Sequence, residues 1–373
     1  MFENIPQSII GFIITGLFIW QFTPVAKRIG LVDRPGGHKV HQGLIPVIGG
    51  IGMFTGILVT LILLNFPWAQ INSILFAGLM VLIVGILDDK LYLSSTVRFT
   101  TQIGAALIII TGDSILLFNL GHLVSENTLH LGGWAIPLTV FAIVGVINAF
   151  NMTDGLDGLA GGLSIVTLLA VTLLLSLNGT ASGYFIIPMV FIAAVSGFLM
   201  YNMRTPWLYK AKVYMGNGGS MLLGILLAWL LIKFSQGSER AFDPVIALWI
   251  FAVPLLDTVT IMLRRIKNGK SPFSADREHL HHLFLALGFT VGQSVTLVLI
   301  IAASLASIGI LSSYFHATEH VMFFTFLSLF AAYFWGMDKA WSTLFKQKAA
   351  TFNVTGGTDN SIINPLKRER NKD

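Results

Sequence analysis

Long apolar stretches alternate with short polar connections along most of this chain. Eleven such stretches recur, at about 5–26, 44–65, 71–88, 99–118, 135–152, 159–177, 184–202, 218–235, 244–263, 288–313 and 320–341. Several approach the ~20 residues that a helix needs to cross the hydrocarbon of a bilayer. The pattern predicts an all-α polytopic membrane protein with about eleven transmembrane helices. No sheet is needed, because an open edge would leave backbone groups unpaired in lipid. Residues 1–345 read as a single transmembrane domain. Residues 346–373 read as a polar, basic tail that is expected to be disordered. No internal repeat is visible.

Composition strengthens this reading. The chain is 54% hydrophobic and 11% charged, against about 25% charged in soluble domains. It has no cysteine, which excludes disulfides, thiolate catalysis and Cys-ligated metals. The net charge of +5 does not point to nucleic acid, because the basic residues sit in short loops between apolar stretches. The first stretch is preceded by Glu3 and no basic residue, so it reads as a retained span and not a cleaved signal peptide. Basic residues also orient the chain. With the N-terminus outside and the C-terminus inside, every Lys and Arg except Lys233 and Arg240 falls on the inner side.

The acids follow the same side. Asp88 and Asp89 end the third stretch, Asp154 and Asp157 follow the fifth, and Asp257 lies about two turns inside the ninth, beside its inner end. Adjacent carboxylates repel, and a helix C-terminus further disfavours anions. The Asp88–Asp89 pair therefore calls for a cation, and hard oxygen ligands suit Mg²⁺ or Mn²⁺. The alternative is a membrane-boundary pair neutralised by Lys90 or Arg98. In Asn148-Ala-Phe-Asn151-Met-Thr-Asp154-Gly-Leu-Asp157-Gly158, the asparagines share one helix face and the glycines let backbone approach a ligand. The alternative there is a plain Asp-Gly turn leaving a span.

Three further loops carry candidate chemistry. Arg34-Pro-Gly-Gly-His38-Lys39-Val-His41-Gln42 suits a phosphate or lipid head group, or is ordinary positive-inside charge. Met215-Gly-Asn217-Gly-Gly-Ser220 offers backbone amides to an anion at a helix N-terminus, or is a plain cap. His279, His281 and His282 close the longest loop between spans. They suit zinc, hydrogen bonds to sugar and phosphate, or a bland solvated loop; the hard acids elsewhere weaken the zinc reading.

As an ordered set, these segments resemble the polyprenyl-phosphate N-acetylhexosamine-1-phosphate transferase family. The set comprises His41 to Pro46 with Gly49-Gly50, Leu87-Asp-Asp89, Asn148 to Gly158, Tyr214 to Ser220, Ala247-Leu-Trp249, Pro254-Leu-Leu-Asp257 and Ser271 to His282. The resemblance implies transfer of N-acetylglucosamine 1-phosphate from UDP-N-acetylglucosamine to undecaprenyl phosphate, with release of UMP. Implied with it are Mg²⁺ or Mn²⁺, a bacterial inner membrane and a cytoplasmic active site. Implied products start O-antigen or enterobacterial common antigen. The loop after the first span and His279-Leu-His281-His282 favour the N-acetylglucosamine branch over the peptidoglycan one. By the same resemblance, Asp88 and Asp89 are metal ligands and one a base, and Asp154 and Asp157 orient nucleotide or metal. Lys39, His41, Asn148, Asn151, Arg265, His279, His281 and His282 would bind substrate.

One departure stands out. The family turn before the eighth span reads Met-Gly-Asp, with the aspartate tied to metal, whereas here it is Asn217. An amide oxygen still ligates Mg²⁺ but brings no charge. Weakened metal affinity, an altered metal position and an inactive relative all remain open. So do another UDP-linked N-acetylamino sugar, a covalent aspartyl intermediate and a homodimer. The rival from another class is an ion-coupled transporter, which predicts acids at mid-membrane and repeated halves.

Overall fold

A computed structural model describes residues 5–33, 43–179, 182–272 and 278–354. Lys39 and His41 lie outside them. The described residues form thirteen helices: α1 (Ile5–Arg28), α2 (Gly49–Leu63), α3 (Asn72–Leu91), α4 (Ser95–Gly112), α5 (Ala135–Thr153), α6 (Leu159–Asn178), α7 (Ile186–Asn202), α8 (Gly216–Lys233), α9 (Pro244–Ile250), α10 (Ala252–Lys267), α11 (Leu280–Ala286), α12 (Val291–Tyr314) and α13 (Glu319–Val354). Each of the eleven apolar stretches coincides with helix. Six helices are long and apolar enough to cross a membrane, namely α1, α5, α6, α8, α12 and α13, and α9 with α10 make a seventh if counted as one bent span. α2 and α7 are apolar but shorter. α13 runs past residue 345, so the first part of the expected tail is helical.

One small departure from all-helix is an antiparallel pair of two-residue strands, β1 (Val32–Asp33) and β2 (Ile45–Pro46). Their pairing continues into α8's approach, where Tyr214 N–H donates to Pro46 O at 2.9 Å and Gly49 N–H to Tyr214 O at 3.0 Å. Backbone outside the helices is thus paired where it meets the bundle.

The core is built around α8, in which every residue from Gly218 to Ile232 is buried. A helix apolar all round needs neighbours all round, and α2, α3, α5 and α6 supply them. Small residues set how close they come. A Cβ on Gly85 of α3 would lie 2.3 Å from Gly218 Cα, and one on Gly50 of α2 would lie 2.5 Å from Gly219 Cα. Backbone therefore meets backbone where α3 and α2 cross the start of α8.

The ninth stretch is not one straight span. α9 and α10 meet at Phe251 with a bend of 82°. Pro254 explains the break: it has no N–H for the carbonyl of Ile250, and its ring would strike that carbonyl in a continuous helix. The freed Ile250 carbonyl accepts instead from Thr167 Oγ1 of α6 at 3.3 Å.

Candidate active site

The close crossing at Gly85 carries Asp88 and Asp89, one turn further along α3, to the N-terminus of α8. The backbone N–H of Asn217 donates to Asp89 Oδ2 at 3.0 Å and to Oδ1 at 3.2 Å. Gly216 adopts φ +77° there, and a Cβ on it would lie 2.6 Å from Asp89 Oδ2, so only glycine fits. An anion at a helix N-terminus is in its favourable place. The acid that looked ill-placed at the end of α3 is thus stabilised by α8.

Asp88 is buried, and its Oδ2 accepts from Arg98 Nη1 at 3.1 Å and from Asn217 Nδ2 at 2.9 Å. Arg98 pairing was one of the two readings the sequence left open. The other end of the Asn217 amide is also engaged, because its Oδ1 accepts from Asn151 Nδ2 at 3.1 Å. Asn151 further donates to Ser220 Oγ at 2.7 Å, and Asn148 donates to Gln102 Oε1 at 2.6 Å. The asparagine pair thus ties α5 to α8 and α4.

Asp157 is fastened by Arg204 Nε at 2.7 Å and by the N–H of Ala211 at 3.4 Å. Gly158 turns the chain into α6 at φ +86°, its N–H held by Asn202 Oδ1 at 2.7 Å. Asp154, at the end of α5, has no side-chain hydrogen bond among the described residues. Burial first, then repulsion from Asp89 and Asp157, pushes its carboxyl up to about 7.

The histidine segment folds as α11 against this turn. A Cβ on Gly155 would lie 2.4 Å from His281 Nε2. His281 is 2% exposed, and that nitrogen has no hydrogen-bond partner among the described residues. Burial first, then His282 and His279, brings its pKa down to about 3. His279 Nδ1 lies 2.8 Å from Asp257 Oδ2. Arg265 is buried and donates to Pro272 O at 2.6 Å. Arg264 holds Glu278 at 2.6 Å and the Met337 carbonyl at 2.8 Å, fixing α10 to α13.

The asparagines, Arg98, Gly155, Arg265 and the histidines line a groove of about 1010 Å³ between α4, α5, α8, α9 and α10. Its length is walled by apolar side chains such as Ile103, Val140, Phe141 and Leu248, and one end is polar, with Arg98, Asn148, Asn151, Arg265, His279 and His282. Asp88, Asp89, Asn217, Asn151, Asp154, Asp157 and the histidines therefore gather at one end of the bundle. Sequence reasoning missed Gln102, Asn202, Arg204 and Tyr333. For Gln102, Asn202 and Tyr333 the available signal was an uncharged polar side chain inside or at the edge of an apolar stretch, which is costly unless partnered; Arg204 stood out only as one of the basic residues of the inner side.

The metal implied by the resemblance can be tested against this donor set. Among the described residues, no three His, Asp or Glu side chains converge to hold an ion alone. Mg²⁺ commonly takes one or two carboxylates, waters and substrate phosphates. Asp89 and Asp154 fit that demand, because the carboxyl of Asp154, pushed up by burial and then by Asp89 and Asp157, is relieved by a cation placed between the two acids. Asp88 and Asn217 fit it less well, each being engaged by side chains already.

Comparison with known proteins agrees with the geometry. The sequence profile of glycosyl transferase family 4 matches residues 71–235, from the start of α3 to just past α8. The undecaprenyl-phosphate alpha-N-acetylglucosaminyl 1-phosphate transferase of Escherichia coli (strain K12) is 40% identical over 331 residues, 88% of this chain and 90% of its own length. The proteins of the same name from Salmonella typhi and Haemophilus influenzae are 39% identical over 88% of this chain and 90% of theirs, and 40% identical over 85% and 89%. The family match spans the carboxylates of α3, the α5–α6 turn and the start of α8, and with 40% identity over 88% of its length to such a relative the chain belongs to glycosyl transferase family 4.

Proposed function

We propose that this chain transfers N-acetylglucosamine 1-phosphate from UDP-N-acetylglucosamine to undecaprenyl phosphate and releases UMP. The observation that carries it is the groove, whose apolar length suits a polyprenyl chain and whose polar end contains Arg98, the partner of Asp88, and Gly155, the neighbour of Asp154. A phosphate at that end would lie among Arg98, Arg265 and the asparagines. Its oxygen attacks the donor's β-phosphorus, the bond to the bridging oxygen breaks, and UMP leaves with that oxygen. Such chemistry needs positioning and charge neutralisation more than covalent help. Mg²⁺ or Mn²⁺ held by Asp89 and Asp154 would supply that neutralisation. The ion pair to Arg204 lets Asp157 hold the α7–α8 connection in place beside them.

The basic-residue asymmetry supports a bacterial inner-membrane protein with eleven crossings, the N-terminus periplasmic, and the active site and C-terminus cytoplasmic. The polar groups described above belong to that cytoplasmic end. The products would enter O-antigen or enterobacterial common antigen synthesis.

The purified protein with UDP-N-acetylglucosamine, undecaprenyl phosphate and Mg²⁺ should release UMP, and EDTA should stop it. Substituting UDP-muramoyl-pentapeptide should give no UMP. Turnover of that donor, or of another UDP-amino sugar in preference, would overturn the assignment of the sugar.

A further inference from the structure

Asp257 is 3% exposed in α10, yet three donors, two from the start of α11 and one from α13, converge on it. His279 Nδ1 lies 2.8 Å from Oδ2, while Oδ1 accepts from the Leu280 N–H at 3.0 Å and from the Tyr333 hydroxyl of α13 at 2.9 Å. With both oxygens engaged, the carboxylate is fixed in rotation. A carboxylate takes a hydrogen from Nδ1 and offers none, so the neutral ring carries its proton on Nδ1 and keeps a lone pair on Nε2. The ring is also pinned on its face, stacked on His281 at 5.5 Å and 11°. His279 lines the polar end of the groove, and no described residue takes Nε2.

A tie between α10 and α11 requires only the Leu280 N–H. The additional arms to His279 and Tyr333 fix an orientation. Partners of this kind commonly set the tautomer and aim of a functional histidine, and their loss costs roughly 10–100-fold.

We propose that Asp257 and Tyr333 are positioning residues that hold His279 in its Nδ1–H tautomer with a bare Nε2 turned into the groove. In that state His279 accepts a hydrogen bond from a hydroxyl or N–H of a bound substrate; an ionised phosphate oxygen has no hydrogen to give it. This rests on the transferase reading for its kinetic arm only.

Two measurements test it. The first is ¹⁵N NMR of the full-length protein, histidine-labelled and in nanodiscs, with His279 assigned by loss of its signals in His279→Gln. The wild type should show Nδ1 protonated and Nε2 bare, and Asp257→Asn should shift the ring toward the other tautomer. An Nε2–H ring in the wild type, or an unchanged ring in Asp257→Asn, overturns the proposal. The second is a kinetic cycle on UMP release. Asp257→Asn and Tyr333→Phe should each lower kcat/KM by about tenfold or more when His279 is present, and by less than about twofold in a His279→Gln background. Asp257→Glu should recover part of the loss. Equal losses in both backgrounds would mean that the two residues act on the fold alone and would overturn the proposal. Tyr333→Phe removes a single oxygen, so it keeps the cycle readable if Asp257→Asn does not fold. A wild type that releases no UMP rejects the donor reading, and the NMR result still decides the positioning.

Discussion

The carboxylate of Asp89 on α3 accepts the backbone N–H of Asn217 at the start of α8, at 3.0 and 3.2 Å. The two residues are distant in sequence, and each answers a problem set by the other's helix. α3 ends with an anion that its own dipole disfavours, and α8 begins with amides that have no intrahelical acceptor. The contact stabilises both ends and aligns Asp89 beside Asp154.

Replacing Asn217 should separate metal binding from folding. Its Nδ2 donates to Asp88 Oδ2 at 2.9 Å. Asn217→Asp would set a third carboxylate against Asp88 and remove that donor. Without a divalent ion the variant should be less stable by about 1–3 kcal/mol, from the hydrogen bond lost to a charged group and the repulsion added beside it. An added negative charge should also lower the Mg²⁺ concentration for half-maximal activity, by roughly tenfold. Thermal unfolding in EDTA and in Mg²⁺, with a Mg²⁺ titration of UMP release, reads both. An unchanged half-maximal concentration would remove Asn217 from any account of metal affinity.

The glycine crossing should matter to activity as well as to folding. A Cβ on Gly85 meets Gly218 backbone at 2.3 Å. Backbone cannot rotate away as a flexible side chain can, so α3 and α8 must separate. Gly85→Ala should destabilise by about 1–3 kcal/mol and should lower kcat by pulling Asp89 from Asn217. Gly16→Ala is the control, because a Cβ there meets nothing within 4 Å; it should stay within about 0.5 kcal/mol of wild type. Comparable loss in both variants would argue against the crossing as the cause.

Much of this arrangement was legible in the sequence, because apolar runs report burial in lipid or core directly. All eleven runs hold helix. What periodicity does not encode is which ends meet. The sequence marked an anion lacking a cation at Asp89 and an anion-seeking helix start at Asn217, but only the Gly85–Gly218 approach joins them. The bend at Phe251 was open to reading from Pro254, whose missing N–H falls on Ile250. Tyr333 was hidden in an apolar run, since a single tyrosine there is ordinary until its hydroxyl is seen on Asp257.

The buried His281 should make stability depend on pH. Burial brings its pKa down to about 3, against about 6.5 in an unfolded chain. Between those values the unfolded state binds a proton that the folded state refuses. Stability from this residue is therefore full above about pH 6.5 and falls as pH drops toward 3, by an order of a few kcal/mol. Asp154 works the other way: its carboxyl is raised to about 7, so without metal the folded state binds the extra proton below that pH. The difference between wild type and His281→Gln isolates the first effect. Thermal unfolding from pH 7 to pH 4 should show the wild type losing more stability than the variant. Parallel curves would mean that His281 is charged or exposed in the folded protein.

The groove can be filled without disturbing the bundle. Gly145 on α5 lines it, and a Cβ there meets nothing within 4 Å. Gly145→Leu should therefore project into the space assigned to the polyprenyl chain while leaving helix packing intact. Displacing one or two methylene contacts in an apolar site costs roughly 1–3 kcal/mol, or 10–200-fold. The KM for undecaprenyl phosphate should rise by at least about tenfold, with the KM for the nucleotide sugar and the unfolding temperature little changed. A water-soluble acceptor whose prenyl chain is too short to pass Gly145 should be used equally well by both proteins. If the nucleotide sugar's KM rises instead, the groove holds the donor, and the acceptor must approach from another side of the carboxylates.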